Sequence, residues 1–176
     1  MLASDRLVIG LDIAGRTGVT VGIVGSTPKI VSERFALPDD DSPANAYGRA
    51  VRYMAKLLSE ITPAAIFVEA IIPESRLMFA GQSNHYSNMV RVGLYGAMVG
   101  VARAKDIPVI PANVHQVRTH FLGPGHKLAG PAAKREVFRR CEQLGWAPPD
   151  LDGSDSAAVW DFGCGRVRFG LLENLR

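Results

Sequence analysis

Residues 7–24, LVIGLDIAGRTGVTVGIV, carry the pattern that decides the fold. Residues 6–13 are rich in Leu, Val and Ile, which predicts a buried β-strand. After a glycine-containing turn, residues 17–24 alternate Val and Thr with Gly, which predicts the antiparallel partner of a β-hairpin. A second turn leads to a third predicted strand at residues 30–37. The chain is therefore expected to open with a three-strand meander.

Helical and extended segments alternate after this meander. Apolar residues at helical spacing predict helices, and short apolar runs predict a fourth and a fifth strand. The predicted strands cover residues 64–70 and 107–110, and the predicted helices cover residues 44–61, 83–105, 113–122 (capped by Asn113), 132–144 and a segment from about residue 152. Strands that are joined through helical crossovers lie parallel. We therefore expect an α/β fold with a five-stranded mixed sheet and helices on both faces.

Composition limits the class of protein. Of the 176 residues, 47% are hydrophobic and 21% are charged, which predicts one domain with a substantial core rather than a disordered chain. No run of about 18 apolar residues occurs, and the N-terminus lacks the plan of a secretory signal, so we expect no contact with a membrane. Cys141 and Cys164 form no CxxC pair, which favours a reducing, cytoplasmic location over a disulfide framework.

Charge is unevenly distributed along the chain. Residues 103–140 carry eight basic and two acidic side chains, a net charge of +6, whereas residues 141–176 carry three basic and six acidic side chains. One interpretation is a solvated helix face that a neighbouring segment balances. The other is a polyanion-binding patch beside a cluster of metal-binding carboxylates. Charge alone does not decide between them.

Four carboxylates give the clearest indication of chemistry. Asp12 and Glu69 each end a predicted buried strand, where an acid is costly unless it is paired or metal-bound. Asp152 and Asp155 are three residues apart, so they project from one face of a helix near its start. The alternatives are unrelated salt bridges for the first pair and helix capping for the second.

Taken together, these four acids predict an oxygen-only site without His or Cys ligands. Such a site favours Mg²⁺ or Mn²⁺. Two such ions about 4 Å apart can activate water and stabilise the leaving oxygen of a phosphodiester.

Five segments in order resemble the RuvC group of Holliday-junction resolvases, within the ribonuclease-H-like superfamily. They are LVIGLDIAGRTGVTVGIV, AIFVEA, PVIPANVHQVRTHFLG, AAKREVF and LDGSDSAAVWDF, and they extend over nearly the whole chain. The resemblance implies that residues 1–176 form a single nuclease domain of ribonuclease-H-like fold. It also implies a homodimer that nicks Holliday junctions and related branched DNA symmetrically, with two Mg²⁺ ions in each active site.

The resemblance also assigns roles to residues. The four metal-binding acids of the family fall on Asp12, Glu69, Asp152 and Asp155. A basic residue of the family falls on Arg118, and a lysine at the head of the next helix falls on Lys134, which we expect to stabilise the charge that develops on the phosphate.

DNA contacts are expected from the basic segment and from the loop after Glu69. Lys127, Arg135 and Arg139 are expected to hold the phosphate backbone together with Arg118 and Lys134. Phe79 and Tyr86 either meet unstacked bases or anchor the loop. Ile72 stands where the family has an aromatic residue that probes the junction, and isoleucine can wedge between bases but cannot stack on them. We therefore expect a broader substrate range that includes flaps and three-way branches as well as four-way junctions.

Three other activities use related sequence features. A phosphotransferase of the actin and sugar-kinase type also opens with an aspartate and a glycine-containing hairpin, but it needs two such domains. A non-cleaving nucleic-acid-binding module on the same fold is expected to lack at least one of the four acids. A ribonuclease that acts on RNA–DNA hybrids is a variant of the nuclease prediction.

Overall fold

The computed structural model describes residues 6–38, 42–71 and 85–168. In these ranges the strands are β1 (Leu7–Asp12), β2 (Arg16–Ile23), β3 (Lys29–Arg34), β4 (Ala65–Glu69) and β5 (Val109–Ala112). The helices are α1 (Pro43–Glu60), α2 (His85–Arg103), α3 (Val114–Leu122), α4 (Gly130–Gln143) and α5 (Leu151–Arg168). None of the described helices combines the length and the apolar character that are needed to cross a membrane.

The strands form one mixed sheet in the order β3-β2-β1-β4-β5. The meander β1-β2-β3 is antiparallel, and β4 and β5 add to it in parallel, each after a helical crossover. The predicted α/β fold, with a three-strand meander and two crossover strands, is confirmed.

Successive side chains of each strand point to opposite faces of the sheet. Because helices cover both faces, these side chains form two separate cores. One core joins β1 and β4 to α1 and α2 through residues such as Leu11, Val68 and Leu94. The other core joins the opposite face to α3, α4 and α5 through Phe67, Val137 and other side chains. The prediction of helices on both faces is therefore also confirmed.

Two predicted strand positions are wrong in detail. The fifth strand lies at Val109–Ala112, two residues later than predicted, because Ile107 still belongs to the turn after α2 and donates its N–H to the Ala102 carbonyl. The third strand ends at Arg34 rather than at residue 37, because the N–H groups of Phe35 and Ala36 both bond to the carbonyl of Gly15.

Candidate active site

Two neighbouring parallel strands end in carboxylates, Asp12 on β1 and Glu69 on β4. Leu11 pairs with Val68 in this ladder, so the acid that follows each of them lies at the same edge of the sheet. Because Leu11 and Val68 face the α1 side, the alternating pleat directs Asp12 and Glu69 toward the α5 side. Both acids line a cavity of about 10 Å³, which is room for about one water molecule.

Glycines let α5 lie directly against the strands beside these acids. A Cβ atom at Gly18 would lie 2.0 Å from the carbonyl oxygen of Asp152, and a Cβ atom at Gly10 would lie 2.5 Å from that of Ser156. Side chains are therefore excluded at both strand positions. Since Gly18 pairs with Asp12 in the β1–β2 ladder, this contact brings the first turn of α5 next to the end of β1.

The start of α5 presents two more carboxylates at this edge, Asp152 in the first turn and Asp155 just after it. Asp155 is almost fully buried, with 8% of its side chain exposed, and Asp152 is 29% exposed. The Lys134 ammonium pairs with both Asp155 and Asp152, and the charges of these two acids raise the pKa of Asp12. The four predicted acids therefore lie at the same edge of the sheet, on β1, on β4 and at the start of α5.

Asp150, not Asp152, caps α5. Its side-chain oxygen accepts a hydrogen bond from the N–H of Gly153 at 2.9 Å and another from the Ser32 hydroxyl at 2.6 Å, and Arg16 donates to the second oxygen at 2.9 Å. The alternative interpretation of Asp152 as the helix cap is therefore wrong, and Asp152 remains available for a ligand. Asp150 also fastens the start of α5 to β2 and β3.

Lys134 supplies a cation to the carboxylates. Its ammonium lies 2.8 Å from Asp155 and 3.4 Å from Asp152. Burial lowers the pKa of Lys134, but the charge of Asp155 and its hydrogen bond, together with the charges of Asp12 and Asp152, outweigh burial and raise it above its usual value. Lys134 is therefore charged at any physiological pH.

Burial and repulsion by neighbouring carboxylates raise the pKa values of the two strand acids, Asp12 and Glu69. Burial is the largest cause that raises the pKa of Asp12, and the neighbouring charges of Glu69, Asp155 and Asp152 raise it further, against the effect of Lys134. Burial and then Asp155 also raise the pKa of Glu69. A carboxylate that resists ionisation for these reasons is stabilised by an added cation.

The donor set fits a hard divalent cation, although it is not a closed cage. All four acids offer oxygen ligands, as Mg²⁺ prefers. Within residues 6–38, 42–71 and 85–168, however, no three Asp, Glu, His or Cys side chains converge tightly enough to form a metal-binding group as they stand. The ammonium of Lys134 lies between two of the acids and supplies part of the positive charge that they require.

The predicted DNA-binding residues fall in different places. Arg118 on α3 is close enough to Glu69 for its charge to lower the pKa of that carboxyl. Lys127 is exposed in the loop before α4, and Arg135 is exposed on α4. Arg139 is also exposed, but it makes a two-pronged ion pair with Glu136 on the same helix.

Of the three residues expected in the loop after Glu69 or beside it, the structure describes one. Ile72 and Phe79 lie outside the described residues. Tyr86 lies on the first turn of α2 and is 42% exposed.

Sequence reasoning missed Arg91 of α2. This side chain and Tyr95, one turn later, line the cavity that also contains Asp12 and Glu69. The positive charge of Arg91 lowers the pKa of Glu69. A signal was present, because a lone arginine interrupts the otherwise uncharged helix at residues 85–102. The capping role of Asp150 was also missed, since its partners Ser32 and Arg16 are distant in sequence.

No protein-family model matches the sequence, and no curated protein sequence matches it. Solved structures do match. The chain resembles Thermus thermophilus RuvC with a TM-score of 0.71 and 21% identity, over 93% of this chain and 96% of that one. It resembles T. thermophilus RuvC in complex with a Holliday junction substrate with a TM-score of 0.68 and 18% identity, over 94% and 96% of the two chains.

A third solved structure extends the likeness to another source. The yeast mitochondrial Holliday junction resolvase Ydc2 matches with a TM-score of 0.62 and 10% identity, over 100% of this chain and 87% of that one. At these identities the likeness is one of fold. The chain has the ribonuclease-H-like fold of RuvC.

Proposed function

We propose that this protein is a Mg²⁺-dependent endonuclease of the RuvC type, which nicks Holliday junctions and related branched DNA. The observation that carries the proposal is the gathering of Asp12, Glu69, Asp152 and Asp155 at one edge of the sheet, with Lys134 among them. The likeness to a RuvC structure in complex with a Holliday junction supports branched DNA as the substrate.

Mg²⁺, or Mn²⁺ in its place, would be held by the four carboxylates, and two ions per site are proposed. When bound, the ions supply an activated water and charge stabilisation for phosphodiester hydrolysis. Asp12 would hold the ions together with Glu69 and the α5 acids, and the charges of all three neighbours raise its pKa.

The residues of the chain bind and orient the phosphate. Lys134 lies at the head of α4 beside the α5 acids and is always charged, so it is suited to donate a hydrogen bond to the phosphate oxygen on which negative charge develops. The charge of Arg118 lowers the pKa of Glu69, and this arginine is proposed to hold the DNA strand close to the reacting phosphate. The exposed Arg135 and Lys127 extend this basic surface outward, and phosphate contacts of this kind give affinity without reading sequence.

A second copy of the chain is proposed to pack on the outer face of α2. Val92 is 51% exposed and Met89 is 43% exposed, and they lie three residues apart on one face of this helix, so together they form an apolar patch. A Cβ atom at Gly96 or Gly100 would meet nothing within 4 Å, so another helix backbone can approach closely there. A dimer about this face would carry two active sites, as symmetric nicking of a junction requires.

The direct test uses four end-labelled substrates with Mg²⁺: a four-way junction, a flap, a linear duplex and an RNA–DNA hybrid. The proposal predicts cleavage of the junction and the flap well above the duplex and the hybrid. The variant Asp12→Asn serves as the control for a contaminating nuclease. Preferred cleavage of the hybrid would indicate a ribonuclease instead, and binding of the junction without cleavage would indicate a non-cleaving module.

A further inference from the structure

Arg91 stands apart from the other cations of the candidate site. It lies on α2, which packs on the face of the sheet opposite to α4 and Lys134. Arg91 and Tyr95 form the helix side of the small cavity, and Asp12 and Glu69 form its strand side. Cations therefore approach the carboxylates from both faces of the sheet, Arg91 from one face and Lys134 and Arg118 from the other.

The hydrogen-bonding state of Arg91 differs from that of Lys134. Lys134 bonds directly to two of the acids. Arg91 makes no ion pair with any acid among the described residues, and its Nε–H is buried without a hydrogen-bond partner there. A buried donor without an acceptor is costly, so it marks a place where an acceptor is expected to bind. If Arg91 served only to neutralise Glu69, a direct contact between the two would be expected.

The size of the cavity restricts that acceptor. About 10 Å³ is space for one oxygen atom and not for a whole phosphate group. An anionic oxygen that projects from a larger ligand lying outside the cavity fits both this volume and the positive charge of arginine. A guanidinium offers several N–H donors in a planar fork, which suits phosphate oxygens.

We propose that Arg91 contacts the substrate and donates hydrogen bonds to a backbone phosphate oxygen of the DNA strand that is cut. This inference rests on the proposed nuclease function. It adds a residue on the Glu69 side of the site that complements Lys134 on the α5 side, so that the reacting strand is held from both faces of the sheet. Tyr95, one turn later on the same helix, lines the same cavity.

The test compares Arg91→Gln and Arg91→Lys with Arg52→Gln, which removes an arginine from the exposed face of α1, away from the cavity. Affinity for a four-way junction is first measured without divalent ions over a range of salt concentrations. Arg91→Gln should reduce the slope of log affinity against log salt by about 0.9, as expected for one lost phosphate contact. Arg52→Gln should leave the slope as in the wild type.

Single-turnover cleavage with Mg²⁺ and saturating enzyme then measures the reaction of bound substrate. Arg91→Gln should slow it on the order of 100-fold, as for the loss of a hydrogen-bond donor to a developing charge. Arg91→Lys keeps the charge but not the fork, so the salt slope should be retained while cleavage slows at least roughly tenfold.

If the Arg91→Gln and Arg52→Gln variants have the same salt slope and the same cleavage rate, the proposed role of Arg91 is overturned. The nuclease proposal is not affected by that result. Should Arg91→Gln fail to fold, as judged by thermal unfolding, Arg91→Lys decides, and a wild-type cleavage rate for that variant overturns the role. A wild-type protein that neither binds nor cuts the junction would instead contradict the proposed function itself.

Discussion

Individual side chains at the candidate site are stabilised by partners that lie on other elements. Lys134 illustrates this, because its charge balances Asp155 and Asp152 before any divalent ion binds. With divalent ions held by the acids, the same ammonium would be free to donate a hydrogen bond to a phosphate oxygen. Lys134 therefore neutralises the acids in the folded protein and, in the proposed reaction, would donate to the phosphate.

Lys134→Ala should slow the cleavage of bound junction on the order of 100-fold, because a preorganised donor to the developing charge is lost. Arg135→Ala removes the next, exposed cation of α4 and should weaken affinity without changing the single-turnover rate. Rates at saturating enzyme measure this difference. Equal rates for wild type and Lys134→Ala would reduce Lys134 to a counter-ion for Asp155.

His120 and Asp161 provide a pH-dependent contact between α3 and α5, with His120 Nε2 3.0 Å from the Asp161 carboxylate. The hydrogen bond that the imidazole donates to the Asp161 carboxylate raises the pKa of His120 above its ordinary value of 6.5, although partial burial opposes this effect. Because the folded pKa is the higher one, the stabilisation is complete below about pH 6.5 and is lost as the pH rises through the folded value.

Asp161→Asn should therefore lower the pKa of His120 and flatten the dependence of unfolding free energy on pH in this window. NMR titration of the imidazole protons measures the first effect, and denaturant unfolding at several pH values measures the second. A His120 pKa that is the same in wild type and Asp161→Asn would contradict the assigned cause.

At the scale of elements, the contact between α5 and the sheet determines where two of the four acids lie. Glycine at positions 10 and 18 permits this contact, and Gly22 and Gly163 extend it along the helix against Trp160 and Phe67. The interior glycines of α5 therefore do not end the helix, which continues to Arg168. Packing offsets the low helix propensity of glycine.

Gly18→Ala should destabilise the protein by about 1–3 kcal/mol, because the new methyl group meets the backbone of Asp152 and not a flexible side chain. Cleavage should fall further than stability explains, since Asp152 and Asp155 move with the helix. Gly48→Ala on α1 is the matched control, because its Cβ would meet only the end of Arg52 at 3.5 Å. Denaturant unfolding compares the two, and equal effects would contradict the proposed tight contact.

Strands and helices could be predicted from the sequence where a local pattern of residues specifies them. Positions and roles that depend on distant residues could not. Alternating Val and Thr with Gly is sufficient to predict the hairpin of β1 and β2. The position of β5 was wrong because Ile107 is apolar yet belongs to a turn, and because Pro111 lies within the strand, which is tolerated at the edge of a sheet. The roles of Asp150 and Arg91 depend on distant partners, which no local pattern displays.

At the scale of the whole molecule, the protein is proposed to act as a homodimer. The exposed apolar side chains of α2 lie on the helix that also carries Arg91 toward the acids, so the dimer face and the site share one element. This arrangement would fix the relative positions of two active sites on one junction.

Val92→Glu should shift the protein from dimer to monomer, because two like charges would be buried in the interface. Val51→Glu on the exposed face of α1 is the matched control and should leave the dimer intact. Sedimentation equilibrium should return the mass of one 19.0 kDa chain for Val92→Glu and twice that mass for the control. A wild-type protein that is already monomeric at micromolar concentration would contradict the proposed interface.

Single-turnover cleavage of a four-way junction with Mg²⁺ tests whether the four carboxylates form one metal-dependent cleavage site. The variants Asp12→Asn, Glu69→Gln, Asp152→Asn and Asp155→Asn should each lose on the order of 1000-fold in rate, while junction binding is retained or improved. Asp161→Asn, on the same helix but outside the site, should cut at the wild-type rate. Wild-type rates in two of the four variants would contradict the assignment of the site.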